Sequence, residues 1–412
     1  MDVKKKKLGF KLILISMLLL PMLVVLFIVG CNSKYIVRMP FFILICILIP
    51  VFIILFIYGL MLFTKNKHAS KRKLRKWLKV FLSIFMTLYI VGCGVGTFLL
   101  YGPYDYLRNL YVTTAMKTMH HQHFAKFFYS DETIQDIMSK NYFIEFTEDA
   151  NTDDINIDTG KKKKFKDEYE EELLTRDEDN DLYKLIELKV GGSNAYLVAI
   201  YDPTKVRLIT TKKFNIGTTG ERIITMCERY GGVVCINAGG FQDNGWGSDI
   251  PIGYVIQDGE ITWTDGDPDT DRQNIIGLTK DGKLKLMTGA TGNEALEAGV
   301  VDGLVFGPFL ILNGKALDIV GDPWGKAPRV AIAQREDGVM MFLVVDGENY
   351  INGASLKDMI EVLQRYGAYN AANLDGGQSS SLVIENKLYN TPPPAAKAQN
   401  GRYVVTGFGL IP

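Results

Sequence analysis

The chain has 412 residues, five cysteines, four histidines and a formal net charge of zero that hides a strong asymmetry. Residues 1–80 carry 15 Lys and Arg against the single acid Asp2, which leaves 31 basic and 45 acidic residues, a formal charge of −14, for the rest. That balance excludes a nucleic-acid-binding body, which needs a basic stripe for phosphates, and the cysteines show neither a disulfide framework nor a Cys-x-x-Cys metal spacing.

Lys4 to Lys7 and Lys11 precede an apolar run, Leu12 to Cys31, long enough for a hydrocarbon core of roughly 30 Å. Met39 to Phe63 and Val80 to Leu100 are two more such runs. The sequence therefore predicts a membrane anchor over 1–103 with three transmembrane helices at about 12–31, 39–63 and 80–100. Basic residues concentrate before the first run and between the second and third. The positive-inside rule then places the N-terminus in the cytoplasm and the C-terminal part outside, as a multi-pass cell-membrane protein. An alternative is a lipoprotein-like box ending at Cys31, which would remove the first run and lipidate that cysteine.

Residues 104–146 read as a helical juxtamembrane segment, with Ser130-Asp131-Glu132 as a cap. His120 and His123 share a helical face, but with no carboxylate or thiolate beside them they read as surface polar residues rather than metal ligands. From 147 to 181 the chain is dominated by charged and polar residues. It reads as a linker that buries too little apolar surface to fold.

From 182 to 412, β-signals dominate: runs such as Val206–Thr210, Val233–Asn237, Val330–Gln334, Met340–Val345 and Leu382–Ile384 alternate with few helices. Ser355-Leu356-Lys357-Asp358 starts one helix as a capping box, with Gly367 as its stop. Glu221 to Tyr230 is another, ended by Gly231-Gly232. The expectation is a single α/β (α+β) globular domain around a large mixed β-sheet, because strand–helix alternation is too irregular for a doubly wound fold. Cys227 and Cys235 are the cysteines of this part, and either a bridge or two reduced thiols fits them.

Within that domain, apolar runs end repeatedly in glycine and polar groups. They are Val233 to Phe241, Val305-Phe306-Gly307-Pro308, Phe342 to Asn349, and Ala371 to Ser381 with its Asn373-Leu374-Asp375-Gly376-Gly377-Gln378-Ser379-Ser380-Ser381. Strand ends that gather on one side make a cleft, and paired glycines leave backbone N–H groups open to an anionic oxygen. The reactive inventory is Asn237, Asp243, Asp302, Arg329, Asp346, Glu348, Asn373, Asp375 and Ser379 to Ser381. All four histidines precede this half, so acid–base chemistry falls to carboxylates. Two carboxylates flanking a bond are the arrangement of glycoside hydrolysis, and the planar fork of Arg329 matches phosphate oxygens. Together they suggest cleavage at a sugar–phosphate linkage.

Asn237-Ala-Gly-Gly-Phe241, Phe306-Gly-Pro308, Pro328-Arg-Val-Ala-Ile332, Val344-Val-Asp-Gly347 and Asn373 to Ser381 resemble, in that order, the blocks of the phosphodiester glycosidase family, over roughly 190–412. The resemblance implies a hydrolase acting on a sugar 1-phosphodiester, of the N-acetylglucosamine-1-phosphodiester type or in a cell-envelope exopolysaccharide or other glycopolymer. Ala238, Glu348 and Gln378 depart from the family pattern.

Carried over by position, the resemblance implies Asp375 and Asp346 as the acid–base carboxylates, which of them is acid being left open, and Arg329 as a phosphate clamp. Asn237 and Asn373 would orient the substrate, with Gly239, Gly240, Gly307, Gly376, Gly377, Ser379 and Ser380 completing its binding. No cofactor and no catalytic metal are expected; a structural calcium at the Asp-Gly turns is an alternative without EF-hand spacing. The expected partners are a sugar-phosphate or glycopolymer substrate and membrane lipid, with no nucleic acid. The rival from another class is a cell-surface polysaccharide-binding or assembly module that holds polymer in the same turns without cleaving it.

Overall fold

The computed structural model describes residues 8–16, 44, 46–58, 80, 84, 87–89, 91–92, 94–117, 122–243, 247–347 and 352–412. The chain divides into two units, Met1–Lys140 and Asn141–Pro412. In the first, helices α1 (Asp105–Met116), α2 (Gln122–Phe128) and α3 (Asp131–Ser139) pack Val112, Ala115, Ala125, Tyr129, Ile134 and Ile137 into a small core. Ser130 caps α3 as its sequence predicts, its side chain accepting the Thr133 N–H at 3.1 Å.

The three expected transmembrane helices are corrected: among the described residues no helix is long and apolar enough to cross a membrane. The multi-pass localisation, with its cytoplasmic N-terminus and external C-terminal part, and the membrane-lipid partner lose their basis with those helices. The remaining parts of the apolar runs, Cys31, His120, His121 and Glu348 lie outside the described residues.

In the second unit the strands of the three larger sheets are β1 (Tyr183–Val190), β2 (Ser193–Ile200), β3 (Val206–Thr210), β4 (Val234–Asn237), β5 (Val255–Gln257) and β6 (Glu260–Trp263). They continue as β7 (Gln273–Thr279), β8 (Leu284–Ala290), β9 (Val300–Val305), β10 (Phe309–Leu312), β11 (Lys315–Ala316) and β12 (Arg329–Arg335). The last are β13 (Met340–Val345), β14 (Ala368–Leu374), β15 (Leu382–Ile384), β16 (Lys387–Leu388) and β17 (Thr406–Leu410). Helices α4 (Glu168–Leu174), α5 (Ile223–Tyr230), α6 (Gly292–Glu297), α7 (Leu356–Arg365) and α8 (Pro394–Lys397) accompany them.

These strands form a seven-stranded sheet, β11-β10-β14-β12-β13-β2-β1, and two five-stranded sheets, β16-β15-β4-β17-β3 and β8-β7-β9-β5-β6. The α/β character and the large sheet match expectation, but the sheet is not mixed: its strand pairs among the described residues are all antiparallel. One crossover explains why the sequence suggested otherwise. β13 leads through α7 to β14, which skips a place, and β12 runs antiparallel between the two. Both flanking strands therefore end on the same side, beside Arg329.

Alternating side chains divide the cores. Val330, Ile332, Phe342, Val344 and Leu374 face the other sheets, meeting Leu208, Ile236, Leu304 and Phe408 in the largest core. Ala331, Ala333, Met341 and Leu343 face the opposite way, onto Leu356, Met359, Ile360 and Leu363 of α7. Both faces are buried, which is why β12 and β13 read as unbroken apolar runs. The capping box of α7 is present, Ser355 accepting from Asp358 N at 3.1 Å and Asp358 accepting from Ser355 N at 2.8 Å.

The polar stretch 147–181 is not a loose linker, since it falls within the Asn141–Pro412 unit. Ile155 and Leu173 are buried, the Ala150 N–H donates to Leu286 O at 2.8 Å, and Glu170 pairs with Arg335 at 2.7 Å. Some of its charges are partnered by the domain, Lys162 by Asp337 and Glu170 by Arg335, so sparse apolar residues suffice to dock it. The boundary expected at 182 is therefore replaced by one at 140/141.

Cys227 of α5 and Cys235 of β4 form a disulfide, Cα–Cα 5.9 Å, in a small core with Ile209, Ile223 and Val404. Closing a loop this short contributes about 2–3 kcal/mol by the chain-entropy estimate. Replacing both cysteines with Ser should lower the urea unfolding free energy of the oxidised protein by about that amount. Identical unfolding midpoints for the two proteins under oxidising conditions would show that the bridge does not stabilise the fold.

Candidate functional site

The Asp375–Ser381 segment leaves β14 as a tight turn. Gly377 takes φ +60°, and a Cβ on Gly376 would come within 2.5 Å of Pro328 O, so glycine is required at both. The Gly377 N–H donates to Pro328 O at 2.9 Å, which folds the turn back over the start of β12.

Asn237, the last residue of β4, fastens this turn from the second sheet. Its Nδ2 donates to Asp375 O at 2.6 Å and its Oδ1 accepts the Ser381 N–H at 2.9 Å. Asp375 N in turn donates to Ala238 O at 2.8 Å. The amide expected to orient substrate is thus spent on the loop itself. Gly239 N is also committed, to Thr406 Oγ1 at 2.9 Å, while Gly240 lies so close to the Phe306 ring that a Cβ would meet it at 3.1 Å.

The third sheet joins through β9. Asn373 Nδ2 donates to Gly307 O at 3.1 Å, and the Asn373 N–H donates to Pro308 O at 3.0 Å. The four glycine-terminated runs therefore do gather. Three side-chain atoms there are buried without a hydrogen-bond partner: Asn373 Oδ1, Ser379 Oγ and Ser380 Oγ. Such atoms carry an unpaid desolvation cost of about 1–3 kcal/mol each in the absence of a ligand.

Asp375 keeps a partly exposed edge. Its carboxyl is nevertheless pushed up to about 6, first by burial and further by the charge of Asp243, against the opposing pull of the Ser379 hydroxyl, the Arg402 guanidinium and the Gly376 N–H. Ser379 Oγ lies close enough to that carboxyl to lower it by hydrogen bonding, although the two miss strict hydrogen-bond geometry. Arg402 itself pairs with Asp243 and lies 5.2 Å from the centre of the Phe241 ring.

Asp346 sits just past β13. Val345 pairs with Arg329 and Leu374 pairs with Val330, so Asp346 and Asp375 follow strands two places apart, roughly 10 Å between backbones. Asp346 is 1% exposed and fully engaged: Oδ1 accepts the Thr391 N–H at 2.7 Å and Oδ2 the Tyr196 hydroxyl at 3.2 Å. Its charge, after burial, helps raise the Tyr196 phenol. The neighbouring Asn390 carries the connection onward, donating to Ser380 O at 3.2 Å and accepting from Leu382 N at 2.8 Å.

Arg329 points elsewhere. Nε donates to Ala354 O at 3.2 Å, and Nη2 donates to Trp324 O at 3.1 Å and Gly325 O at 3.0 Å. Burial lowers its pKa to about 10, with Asp322 opposing. It ties down the 322–327 loop. Asp302 is likewise structural, fully buried and accepting from Arg207 Nε, Leu208 N and Asp258 N. No group of His, Cys, Asp and Glu suited to a metal ion occurs among the described residues.

Sequence reasoning missed Tyr196, Asn390, Arg402 and Thr406. Arg402 lies in a polar Asn-Gly-Arg turn outside any apolar run, and the others sit in strands or turns with no glycine pair to mark them.

Two measurements test this geometry. Asn237→Ala leaves Asp375 O and Ser381 N unpaired and should cost about 2–4 kcal/mol of stability in urea unfolding; a loss within 0.5 kcal/mol, the size of a neutral surface change, would refute the clasp. The raised Asp375 carboxyl means that the unfolded chain ionises first as pH rises from about 4 to 6. Stability should therefore fall across that window by on the order of 3 kcal/mol relative to Asp375→Asn. Parallel stability profiles for the two proteins would contradict the shift.

The phosphodiester glycosidase family profile matches residues 230–411. The SPbeta prophage-derived uncharacterized protein YomE of Bacillus subtilis is 30% identical over 205 residues, 46% of this chain and 29% of that protein. The N-acetylglucosamine-1-phosphodiester alpha-N-acetylglucosaminidase of Bos taurus is 36% identical over 64 residues, 16% of this chain and 12% of that protein. The match thus spans less than a third of either relative's length. Among solved structures, the catalytic domain of the zebrafish N-acetylglucosamine-1-phosphodiester alpha-N-acetylglucosaminidase, auto-inhibited by its pro-peptide, aligns at 18% identity and TM-score 0.46. That alignment covers 56% of this chain and 82% of the zebrafish chain.

Proposed function

Because the chain carries a phosphodiester glycosidase family domain over residues 230–411, we propose that it hydrolyses a sugar 1-phosphodiester, with Asp375 as general acid. The observation that supports this most is the raised Asp375 carboxyl beside the unsatisfied Asn373 Oδ1, Ser379 Oγ and Ser380 Oγ. A carboxyl titrating near 6 keeps a fraction of its protons near neutrality and can still release them, the compromise a general acid needs. The three orphan polar atoms supply one acceptor and two hydroxyls, suited to the hydroxyl or acetamido groups of a sugar.

In this reading Asp375 gives its proton to the oxygen bridging C1 and phosphorus as the C1–O bond breaks, the electron pair passing to that oxygen. Water adds at C1 and loses its proton to a carboxylate, leaving free sugar and a phosphomonoester. Asp346, the second carboxylate at these strand ends, is the base of this proposal, taking the water proton at Oδ2 in place of the Tyr196 hydroxyl, the longer of its two hydrogen bonds. An N-acetylglucosamine 1-phosphodiester, including one within a glycopolymer, is the substrate type that the Bos taurus relative's name suggests.

Purified full chain should release free sugar from members of a panel of sugar 1-phosphodiesters, with solvent ¹⁸O in the sugar and not in the phosphate. Asp375→Asn should lower turnover by on the order of 10²–10⁴. An unchanged rate in the variant, or ¹⁸O in the phosphate, would contradict the assignment. Glycopolymer binding without release from any panel member would favour the binding-module reading.

A further inference from the structure

Resting on that phosphodiester reading, we infer that Arg402, steadied by Asp243 and seated on Phe241, binds the phosphate anion of the substrate, the role that Arg329 does not fill. Arg329 places Nε and Nη2 on three backbone carbonyls of the 322–327 loop and Ala354. Arg402 is placed differently. Its Nη2 meets Asp243 Oδ2, its side chain is 19% exposed against 7% for that carboxylate, and Phe241 supports its face.

Independent contacts place Arg402 beside Asp375. Phe241 follows the Ala238–Gly240 turn, whose Ala238 O holds the Asp375 N–H. A Cβ on Gly401 would lie 3.7 Å from Ser381 Oγ, and α8 packs against the Gly377–Ser379 turn. Tyr403 is then fixed opposite Arg222 in a short ribbon. The guanidinium charge is felt at Asp375, which it pulls down.

A guanidinium has five N–H donors in a planar fork, and the Asp243 contact occupies one of its nitrogens. A phosphodiester carries one negative charge, which one such fork matches with two oxygens. Asp243 plays two parts: it orients Arg402, and it competes with the incoming anion for the same charge. Arg402 therefore accounts for phosphate recognition, while Asn373, Ser379 and Ser380 account for the sugar.

Calorimetric titration of the full chain with inorganic phosphate and with glucose 1-phosphate tests this directly. Arg402→Ala should weaken binding at least ~tenfold, the loss of one charge-assisted fork, and Arg402→Lys should recover part of it. Asp243→Asn should tighten phosphate binding several-fold, an outcome that a merely structural ion pair does not produce. In turnover, Arg402→Ala should raise KM for the phosphodiester more than it lowers kcat. Wild-type binding in Arg402→Ala, no phosphate binding by wild type, or unchanged affinity in Asp243→Asn would each overturn the inference. If Arg402→Ala fails to fold, Arg402→Lys and Asp243→Asn carry the test. Absence of sugar release by wild type would sink the hydrolase reading alone, because the phosphate titration reads Arg402 without turnover.

Discussion

The site depends on one side chain reaching between sheets. Asn237 closes β4, yet both ends of its amide bond the backbone of the turn that leaves β14, at Asp375 O and Ser381 N. An amide suits this place because it presents a donor and an acceptor together without charge. A carboxylate cannot donate to Asp375 O, and a hydroxyl donates and accepts from a single atom, where the amide spreads the two roles over two atoms. The clasp fixes the direction in which Asp375 leaves its strand and brings Ser379 and Ser380 into buried positions without partners.

The chemistry follows from unequal environments for two acids at the ends of parallel neighbours-but-one. Asp346 is buried and receives an N–H and a phenolic hydroxyl. Asp375 is raised by burial and by Asp243, despite the Ser379 hydroxyl, the Arg402 guanidinium and the Gly376 N–H. The two arginines divide in the same manner. Arg329 is buried and spends its donors on carbonyls, whereas Arg402 shares its charge with one carboxylate near the turn.

Much of this was legible because local chemistry and tertiary demand agree. The capping box at Ser355, the αL stop at Gly231 and the four glycine-terminated runs all signal their structure in adjacent residues. The membrane spans rested on hydropathy, which counts apolar residues alone, and no helix among the described residues is long and apolar enough to bear them out. The 147–181 stretch misled in another way: its charges look solvated until Arg335, far along the chain, pairs with Glu170, and its backbone docks where the Ala150 N–H meets Leu286 O. Strand direction was hidden by the β13–α7–β14 crossover, which reads as a parallel unit until β12 is inserted between its strands. Arg402 was invisible because its meaning comes from Asp243 and Phe241, some 160 residues earlier.

The account stands or falls on the protonation of one carboxyl, and its most direct measurement is a ¹³C NMR titration of the Asp375 side chain in the full chain, assigned by comparison with Asp375→Asn. A midpoint near 6, moving higher in Arg402→Ala, is the predicted result. A midpoint near the ordinary aspartate value of about 4, unmoved by loss of Arg402, would contradict both the general acid and the electrostatic environment from which it was argued.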